Sequence, residues 1–291
     1  MLIGTNLILG DHTLPMATVA PLVEAHDLDA LFIGEHTHLP VATVHPGHRD
    51  GVPEFYKRFL DPFVQLAVAA ALTERVRLGT GVLLVAERNP LELAKAVASL
   101  DVVSGGRVEV GVGYGWNRLE MVNNGVDPAQ RRPVFREKLA AVKRLWTEET
   151  TAFDGEWVHF TESWSYPKPV QVPHPPVLLG AAASDATFDD VLSLADGWYP
   201  LGTDDLPQQV GRLAARAGGA PPPVTAVEME GQRPGVPWYS EDDTRARALG
   251  ERARRYAAGG VHRMSVGVPA DHVDGLARAL EVLTALATSV A

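Results

Sequence analysis

The sequence predicts a (β/α)8 barrel, in which eight parallel strands close into a ring and helices cover the outside. Short apolar runs rich in Val, Ile and Gly alternate with longer segments whose apolar residues recur every three or four positions. Each run is apolar on both faces, as expected of a strand in a parallel sheet covered by helices. The chain has eight such runs, which begin near Leu2, Ala30, Val76, Val108, Val177, Gly197, Val224 and Val261.

Three apolar stripes at helical spacing support the helices between these strands. They consist of Leu91, Ala94, Val97 and Ala98; of Phe135, Leu139, Val142, Leu145 and Trp146; and of Val273, Leu276, Leu280 and Leu283. Eight strand–helix units favour a single barrel domain over residues 1–291, and an open doubly wound sheet is the alternative.

Capping signals set the expected helix boundaries. Asp61-Pro62 and Asn89-Pro90 each join an N-cap residue to a proline at the first helical position. Gly105-Gly106 is a helix stop. Ser184-Asp185 and Thr203-Asp204 predict two later helix starts.

Three segments are too long or too irregular for simple connections. One runs roughly from His36 to Leu60 after strand two, one roughly from Thr147 to Pro176 before strand five, and one from Gly231 to Tyr239 after strand seven. Long ordered loops are usually functional, and loops that follow barrel strands emerge where barrel active sites lie. We therefore expect the site at the carboxyl end of the barrel.

Composition excludes several classes of protein. Lys and Arg number 26 against 36 Asp and Glu, so the net charge of -10 argues against nucleic acid or an anionic membrane as a partner. The absence of Cys excludes disulfides, thiolate zinc sites and cysteine nucleophiles. No apolar run approaches the length of a membrane-spanning helix, and the N-terminus lacks the basic region of a secretion signal, so we expect a cytoplasmic location.

The end of strand two carries the best candidate for acid–base chemistry. Glu35 and His36 stand together there, and histidine is the side chain best suited to proton transfer near neutral pH. Alternatively, His36 only caps the strand by hydrogen-bonding a loop. A metal site on His36 and His38 is a weaker reading, because the later strand ends offer few further ligands.

Glycines interrupt strands three and four. Gly81 follows Thr80 in strand three, and Gly111, Gly113 and Gly115 alternate along strand four. Glycine within a buried strand often marks a bulge or the close approach of a ligand. The strand-four glycines clear one face and predict room for a flat ring system, with crowding inside the barrel as the alternative.

Small residues end strand five. Gly180, Ala181 and Ala182 lead directly into the helix that begins near Ser184. Backbone N–H groups at a helix N-terminus can bind a phosphate. A simple capped helix start is the alternative.

Motifs in a fixed order resemble the bacterial luciferase-like superfamily of flavin and deazaflavin oxidoreductases. The resemblance extends from Leu2 to about Pro200 and rests on Thr80–Val82, Asn89–Lys95, Leu100–Asp101, Ser104–Arg107, Gly111–Asn117, Lys168–Gln171 and Ala195–Trp198. The segments Glu35–His38, Leu60–Phe63 and Trp164–Lys168 are more similar to the coenzyme F420-dependent branch than to the true luciferases.

The resemblance implies where a cofactor binds. A bulge with a non-prolyl cis peptide at Gly81-Val82 would back the tricyclic ring, Glu35 and His36 would lie near its polar edge, and Gly180–Ala182 would hold a phosphate. The full set of implied cofactor-binding residues is Glu35, Thr80, Gly81, Val82, Gly113, Tyr114, Gly115, Asn117, Gly180, Ala181 and Ala182.

The expected function is F420-dependent hydride transfer to or from a small organic substrate, with His36 transferring a proton or hydrogen-bonding the substrate or ring. The candidate pocket walls are aromatic: Tyr56, Trp116, Trp164, Trp198 and Trp238. The alternatives are an FMN-dependent monooxygenase and, from another class, a barrel that binds a flavin or ligand without turnover. Members of the family are often dimers, so a homodimer is also implied, although no stripe in the sequence identifies an interface.

Overall fold

Ten strands lie in the part of the chain that the computed structural model describes, residues 1–45, 51–229, 238–239 and 243–290. They are β1 (Leu2–Leu7), β2 (Ala30–Ile33), β3 (Arg77–Leu84), β4 (Val108–Gly113), β5 (Thr150–Asp154), β6 (His159–Trp164), β7 (Val177–Ala181), β8 (Gly197–Pro200), β9 (Thr225–Glu228) and β10 (Arg263–Gly267).

Eight of these strands form one parallel sheet that curls into a barrel. Their order is β8-β7-β4-β3-β2-β1-β10-β9. Between the two outer strands, a single parallel bridge joins Trp198 to Val224 and brings the ring to closure. Each of the eight strands begins within two residues of its predicted start, and the predicted (β/α)8 barrel is confirmed.

The helices are α1 (Met16–Ala25), α2 (Pro62–Leu72), α3 (Pro90–Ser104), α4 (Arg118–Asn123), α5 (Arg131–Thr147), α6 (Asp185–Leu194), α7 (Leu206–Ala217), α8 (Asp243–Ala258) and α9 (Val273–Ser289), with short 3₁₀ turns at Glu54–Arg58 and Val85–Glu87. None of them, over the residues described, is long and apolar enough to cross a membrane. The three predicted apolar stripes face the core except at Leu91 and Val273, which are exposed in the first turns of α3 and α9.

Most predicted caps are present. The Asp61 carboxylate accepts the Phe63 N–H at 2.9 Å, and the Asn89 side chain accepts the Leu91 N–H at 2.9 Å. Gly105 ends α3 in the left-handed region, at φ 67°. The predicted start of α7 at Thr203-Asp204 is wrong, because the N-cap is Asp205, which has a φ of 43° and no side-chain capping bond.

The long segment before β7 is more ordered than a loop. It contains an antiparallel hairpin of β5 and β6. The turn begins at Asp154-Gly155, a dipeptide that favours hairpins. Of the irregular segment predicted over residues 231–239, only Trp238 and Tyr239 lie within the described residues.

A buried ion-pair network closes the amino end of the barrel. Arg263 donates to both oxygens of Glu109 at 2.7 and 3.0 Å, and to Asp29 at 2.5 Å. The guanidinium also lies 5.6 Å from the centre of the Phe32 ring. The open space of the barrel is therefore at its carboxyl end.

Candidate functional site

A cavity of about 220 Å³ opens at the carboxyl ends of β1, β2 and β3. It brings together six of the residues that the sequence singled out: Glu35, His36, Tyr56, Gly81, Val82 and Trp116. Sequence reasoning missed other residues of its lining, among them Asn6, Gly34, Phe59 and Tyr199. Tyr199 follows Trp198 in β8, so alternation along that strand was the available signal.

The floor of the cavity contains a bulge in β3. The pairing of β3 with β4 shifts register between Thr80 and Leu83, and the Gly81-Val82 peptide is cis. Both features agree with what the resemblance implied at this position. The Thr80 hydroxyl donates to the Gly111 carbonyl at 2.8 Å and anchors the start of the bulge to β4.

The glycines of β4 and β7 accommodate this bulge. A Cβ on Gly113 would lie 2.7 Å from Val82 Cγ2, and a Cβ on Gly180 would lie 2.5 Å from Val82 Cγ1. A Cβ on Gly111 would meet the Thr80 carbonyl oxygen at 2.0 Å. The space that we expected a flat ring to occupy beside strand four is thus filled by Val82 and the β3 backbone, and that expectation is wrong.

Glu35 secures the far end of the bulge. Its Oε2 accepts the backbone N–H of Leu84 at 2.7 Å, and its Oε1 accepts Arg88 Nε at 2.5 Å. Its side chain is almost fully buried. The carboxylate therefore sets the position of the strand end that lines the cavity.

His36 has a hydrogen-bonding partner at each ring nitrogen. Nδ1 lies 2.7 Å from Glu120 Oε2, and the Trp116 indole N–H donates to Nε2 at 3.2 Å. The other oxygen of Glu120 accepts the Thr37 backbone N–H at 3.1 Å. Glu120 is fully buried in α4, and sequence reasoning missed it because it belongs to no strand end.

Aromatic rings surround His36. The ring centres of Tyr56, Phe59 and Trp116 lie 5.5, 5.5 and 5.4 Å from that of His36. The His45 ring lies beyond them, 4.8 Å from Trp116. Tyr56, Phe59 and Trp116 thus form an aromatic wall around the His36 imidazole.

A second carboxyl group lies behind Glu120. Burial, together with the charges of Glu120 and Glu35, raises the pKa of Glu87 to about 8. Asn124 donates to Glu87 Oε2 at 2.9 Å, whereas Oε1 has no hydrogen-bond partner among the described residues. The raised pKa favours the protonated form of Glu87 at neutral pH.

Several predicted cofactor residues have structural contacts. The Tyr114 hydroxyl donates to Asp190 at 2.5 Å in the helical layer, where burial and this bond raise its pKa. Asn117 caps α4 by accepting the Leu119 N–H at 3.2 Å. Gly115 has a φ of 81°, and a Cβ there would meet Met121 Cε at 2.7 Å. A cofactor-binding role for these residues stays a prediction.

Three of the predicted pocket tryptophans lie away from the cavity lining described above. Trp164 is 76% exposed on β6. Trp198 is fully buried and donates from Nε1 to the Ala181 carbonyl at 2.9 Å. Trp238 is buried and donates to the Gly267 carbonyl at 2.8 Å. Tyr56 and Trp116 are the predicted aromatic walls that line the cavity.

The segment after β7 lies beside a second cavity. Ala182 is exposed, and Ser184 caps α6 by accepting the Thr187 N–H at 3.0 Å. Next to it, a cavity of about 490 Å³ is lined by polar side chains that include Thr203, Asp204 and Arg252. The two cavities adjoin, because Leu201, Val227 and Met229 line both.

The histidines of the β2 loop do not converge. His38 contacts the Thr37 hydroxyl at 2.9 Å and Asn123 Nδ2 at 2.9 Å, while His36 faces Glu120. Within the described ranges, no group of three or more His, Asp or Glu side chains is placed to hold a metal ion.

The sequence of this chain is similar to a known protein family and to several individual proteins. Residues 15–227 match the family model of the luciferase-like monooxygenases. An uncharacterised protein of Mycobacterium tuberculosis is 38% identical over 291 residues, 97% of each chain. The oxygenase component of a flavin-dependent trigonelline monooxygenase from Acinetobacter baylyi is 29% identical over 57% of this chain and 42% of its own. An F420-dependent glucose-6-phosphate dehydrogenase from Kineococcus radiotolerans is 33% identical over 54% of this chain and 44% of its own.

Solved structures share the fold. A monooxygenase from Streptomyces bottropensis superposes with a TM-score of 0.74 at 23% identity, covering 98% of both chains. An F420-dependent secondary alcohol dehydrogenase in complex with an F420-acetone adduct gives 0.69 at 16% identity, covering 97% of both. At these identities the likeness concerns the fold alone.

Proposed function

The chain belongs to the luciferase-like monooxygenase family, and we propose that it is an F420-dependent oxidoreductase that transfers a hydride between the deazaflavin and a small organic substrate. Relatives of this chain are named as F420-dependent or FMNH2-dependent enzymes, so a deazaflavin or flavin is the cofactor class to test. The observation that carries the proposal is His36, a titratable ring enclosed by aromatic side chains at the cavity. Hydride removal from an alcohol requires such a proton acceptor, and its placement favours dehydrogenation.

The cavity suits a flat, mainly apolar group. Its floor at Gly34, Gly81 and Val82 carries little side-chain bulk, and a Cβ on Gly34 would already approach Phe59 to 3.0 Å. The adjoining polar cavity and the exposed Ala182 provide room for a hydrophilic tail. We assign ring contacts to Gly81 and Val82, and phosphate contacts to the Gly180–Ala182 segment.

The bound cofactor would supply the hydride chemistry, and the chain supplies orientation and proton transfer. His36 takes or returns the proton of the substrate hydroxyl. Tyr56, Phe59 and Trp116 exclude water and pack against an apolar or aromatic substrate. The substrate would thereby lie between the imidazole and the cofactor ring that covers the bulge of β3.

An FMN-dependent monooxygenase is the second candidate. The A. baylyi relative and the Streptomyces fold neighbour are named as monooxygenases. A barrel that binds a flavin without turnover is the candidate from another class.

Binding and turnover assays separate these functions. The purified protein is titrated with F420, reduced F420 and FMN, and hydride transfer is followed by the absorbance of F420 with a panel of alcohols and ketones. We expect saturable F420 binding and turnover that falls about 100-fold or more in His36→Asn with little change in cofactor affinity. FMN binding without F420 binding would contradict the proposal, and F420 binding without turnover of any substrate would favour the non-catalytic barrel.

We also propose a homodimer. In α2, Val64, Val68 and Leu72 are exposed at successive turns, with Val64 61% exposed. A helix that is apolar on both its buried and its outer side is usually covered on both. We propose that a second copy of this chain covers this exposed face of α2.

A cytoplasmic location of the protein stays a prediction.

A further inference from the structure

Of the two hydrogen-bonding partners of the His36 ring, one can only accept a hydrogen bond and the other can only donate one. A carboxylate oxygen accepts, and Glu120 Oε2 lies 2.7 Å from Nδ1. An indole N–H donates, and Trp116 Nε1 lies 3.2 Å from Nε2. With an acceptor at one nitrogen and a donor at the other, a neutral ring satisfies both bonds in a single tautomer, with the hydrogen on Nδ1.

We infer that Glu120 is a positioning residue that fixes His36 in the Nδ1–H tautomer, so that Nε2, covered by the Trp116 N–H, is the ring atom that exchanges a proton with the substrate. The tautomer follows from the contacts alone, whereas the role of Nε2 rests on the proposed function. Neither Glu120 nor this role of Trp116 was evident from the sequence.

The surroundings of Glu120 hold it as an acceptor. Its Oε1 accepts the Thr37 N–H at 3.1 Å and the Thr37 hydroxyl at 3.4 Å, which leaves Oε2 for the imidazole. The side chain is fully buried, so water does not compete for these bonds. Three donors on two oxygens orient the carboxylate, and the carboxylate in turn orients the ring.

The Trp116 indole N–H occupies the acceptor site on His36 Nε2 that a substrate hydroxyl would use. When Nε2 takes up a proton it can no longer accept the indole N–H, and the Trp116–His36 bond must break. A substrate hydroxyl that donates to Nε2 likewise replaces the indole. Oxidised F420, when bound, would accept the C–H hydride of an alcohol; His36 Nε2 takes the O–H proton, and the alcohol leaves as the carbonyl compound. Trp116 therefore moves during each turnover.

The test uses ring nitrogen NMR of the full-length protein labelled with 15N-histidine, without cofactor, and His36→Asn identifies the His36 signals. We expect a protonated Nδ1 and a bare Nε2 at neutral pH in the wild type. Glu120→Gln, whose amide can donate as well as accept, should populate both tautomers. Trp116→Phe should leave the hydrogen on Nδ1 and shift the signal of Nε2.

Glu87→Gln is the matched control, because it makes the same substitution at a neighbouring carboxyl group that does not touch His36. Its His36 signals should match those of the wild type. Kinetics with F420 and an alcohol found in the substrate screen give the second readout. Glu120→Gln should lower kcat about 100-fold or more, with KM and F420 affinity changed less than about threefold, as expected when a base loses its correct tautomer.

A hydrogen on Nε2 in the wild type, or wild-type ring signals and kcat in Glu120→Gln, would overturn the inference. If Glu120→Gln does not fold, the spectra of the wild type and Trp116→Phe still decide the tautomer. If the wild type turns over no substrate with F420, the proposed function and the role of Nε2 both fail, while an Nδ1–H signal would still support the positioning by Glu120.

Discussion

Glu35 accepts the backbone N–H of Leu84 at 2.7 Å, and this bond ties the end of β2 to the end of the β3 bulge. Arg88 neutralises the same carboxylate from the side and also reaches Asp61 at 3.3 Å. Glu35, which the resemblance implied as a cofactor-binding residue, thus holds the β3 bulge in place under the cavity.

Glu35→Gln should lower the free energy of unfolding by about 2 kcal/mol, because the half-buried Arg88 loses the buried carboxylate with which it pairs. Chemical denaturation measures the change. The control is Glu54→Gln, which removes an exposed carboxylate paired with Lys57 and should leave the unfolding curve in place. Equal curves for Glu35→Gln and the wild type would show that the bulge does not depend on this carboxylate.

Gly180→Ala should destabilise the protein by about 1–3 kcal/mol and weaken cofactor binding, since its Cβ would lie 2.5 Å from Val82 Cγ1. Combining it with Val82→Ala removes the clash and should restore part of the loss. A double-mutant cycle on unfolding free energies measures the coupling. If the two substitutions change the free energy of unfolding additively, the cost of Gly180→Ala does not come from contact with Val82.

Glu87→Gln should change how stability depends on pH. The folded pKa of Glu87, about 8, is above its ordinary value of 4.5, so between these two values the unfolded state gives up the proton first and the wild type loses stability as pH rises. The slope from this group is at most about 1.4 kcal/mol per pH unit. The variant lacks it, and its unfolding free energy relative to the wild type should rise from pH 5 to pH 8. A constant difference across that range would contradict the raised pKa.

Trp198→Phe should lower the melting temperature and weaken cofactor binding, because the indole N–H holds the Ala181 carbonyl beside the proposed phosphate segment. Trp164→Phe changes the same residue type at an exposed position and should alter neither. Thermal unfolding and F420 titration give the two measurements. Weaker binding in Trp164→Phe would instead place the β5–β6 hairpin at the site.

Val68→Lys should shift the protein from dimer to monomer, since it places a charge on the exposed apolar face of α2. Light scattering or sedimentation measures the mass of the wild type and the variant. The control, Val122→Lys, alters a 57% exposed valine on α4 and should leave the mass unchanged. A monomeric wild type would contradict the proposed dimer.

The sequence predicted what local patterns determine. The eight barrel strands, the Asp61 and Asn89 caps and the Gly105 stop depend on residues close in the chain, and they lie where expected. Partners from distant segments were not predictable in this way. Glu120 meets His36 across 84 residues, and Val82 fills the space beside Gly113 because β3 bulges towards β4.

Burial also separated residues that seem alike in sequence. Trp116 and Trp198 each follow a glycine directly, but Trp116 faces the cavity, whereas Trp198 packs edge-on against Phe188 with 5.3 Å between ring centres. Strand alternation shows which residues share a face, and closure of the sheet decides which face is inside.

The joints between neighbouring strands of the ring are unequal. Seven are parallel ladders, of which the β3–β4 ladder shifts register at the bulge, whereas among the described residues β8 is joined on its other side only by the single bridge between Trp198 and Val224, the residue just before β9. His36 and the β3 bulge lie beside the laddered strands β2, β3 and β4, and the larger cavity lies over the single bridge between β8 and β9. Among the barrel strands, hydrogen exchange should therefore be fastest along the β8–β9 seam, beside the cavity proposed for the hydrophilic tail.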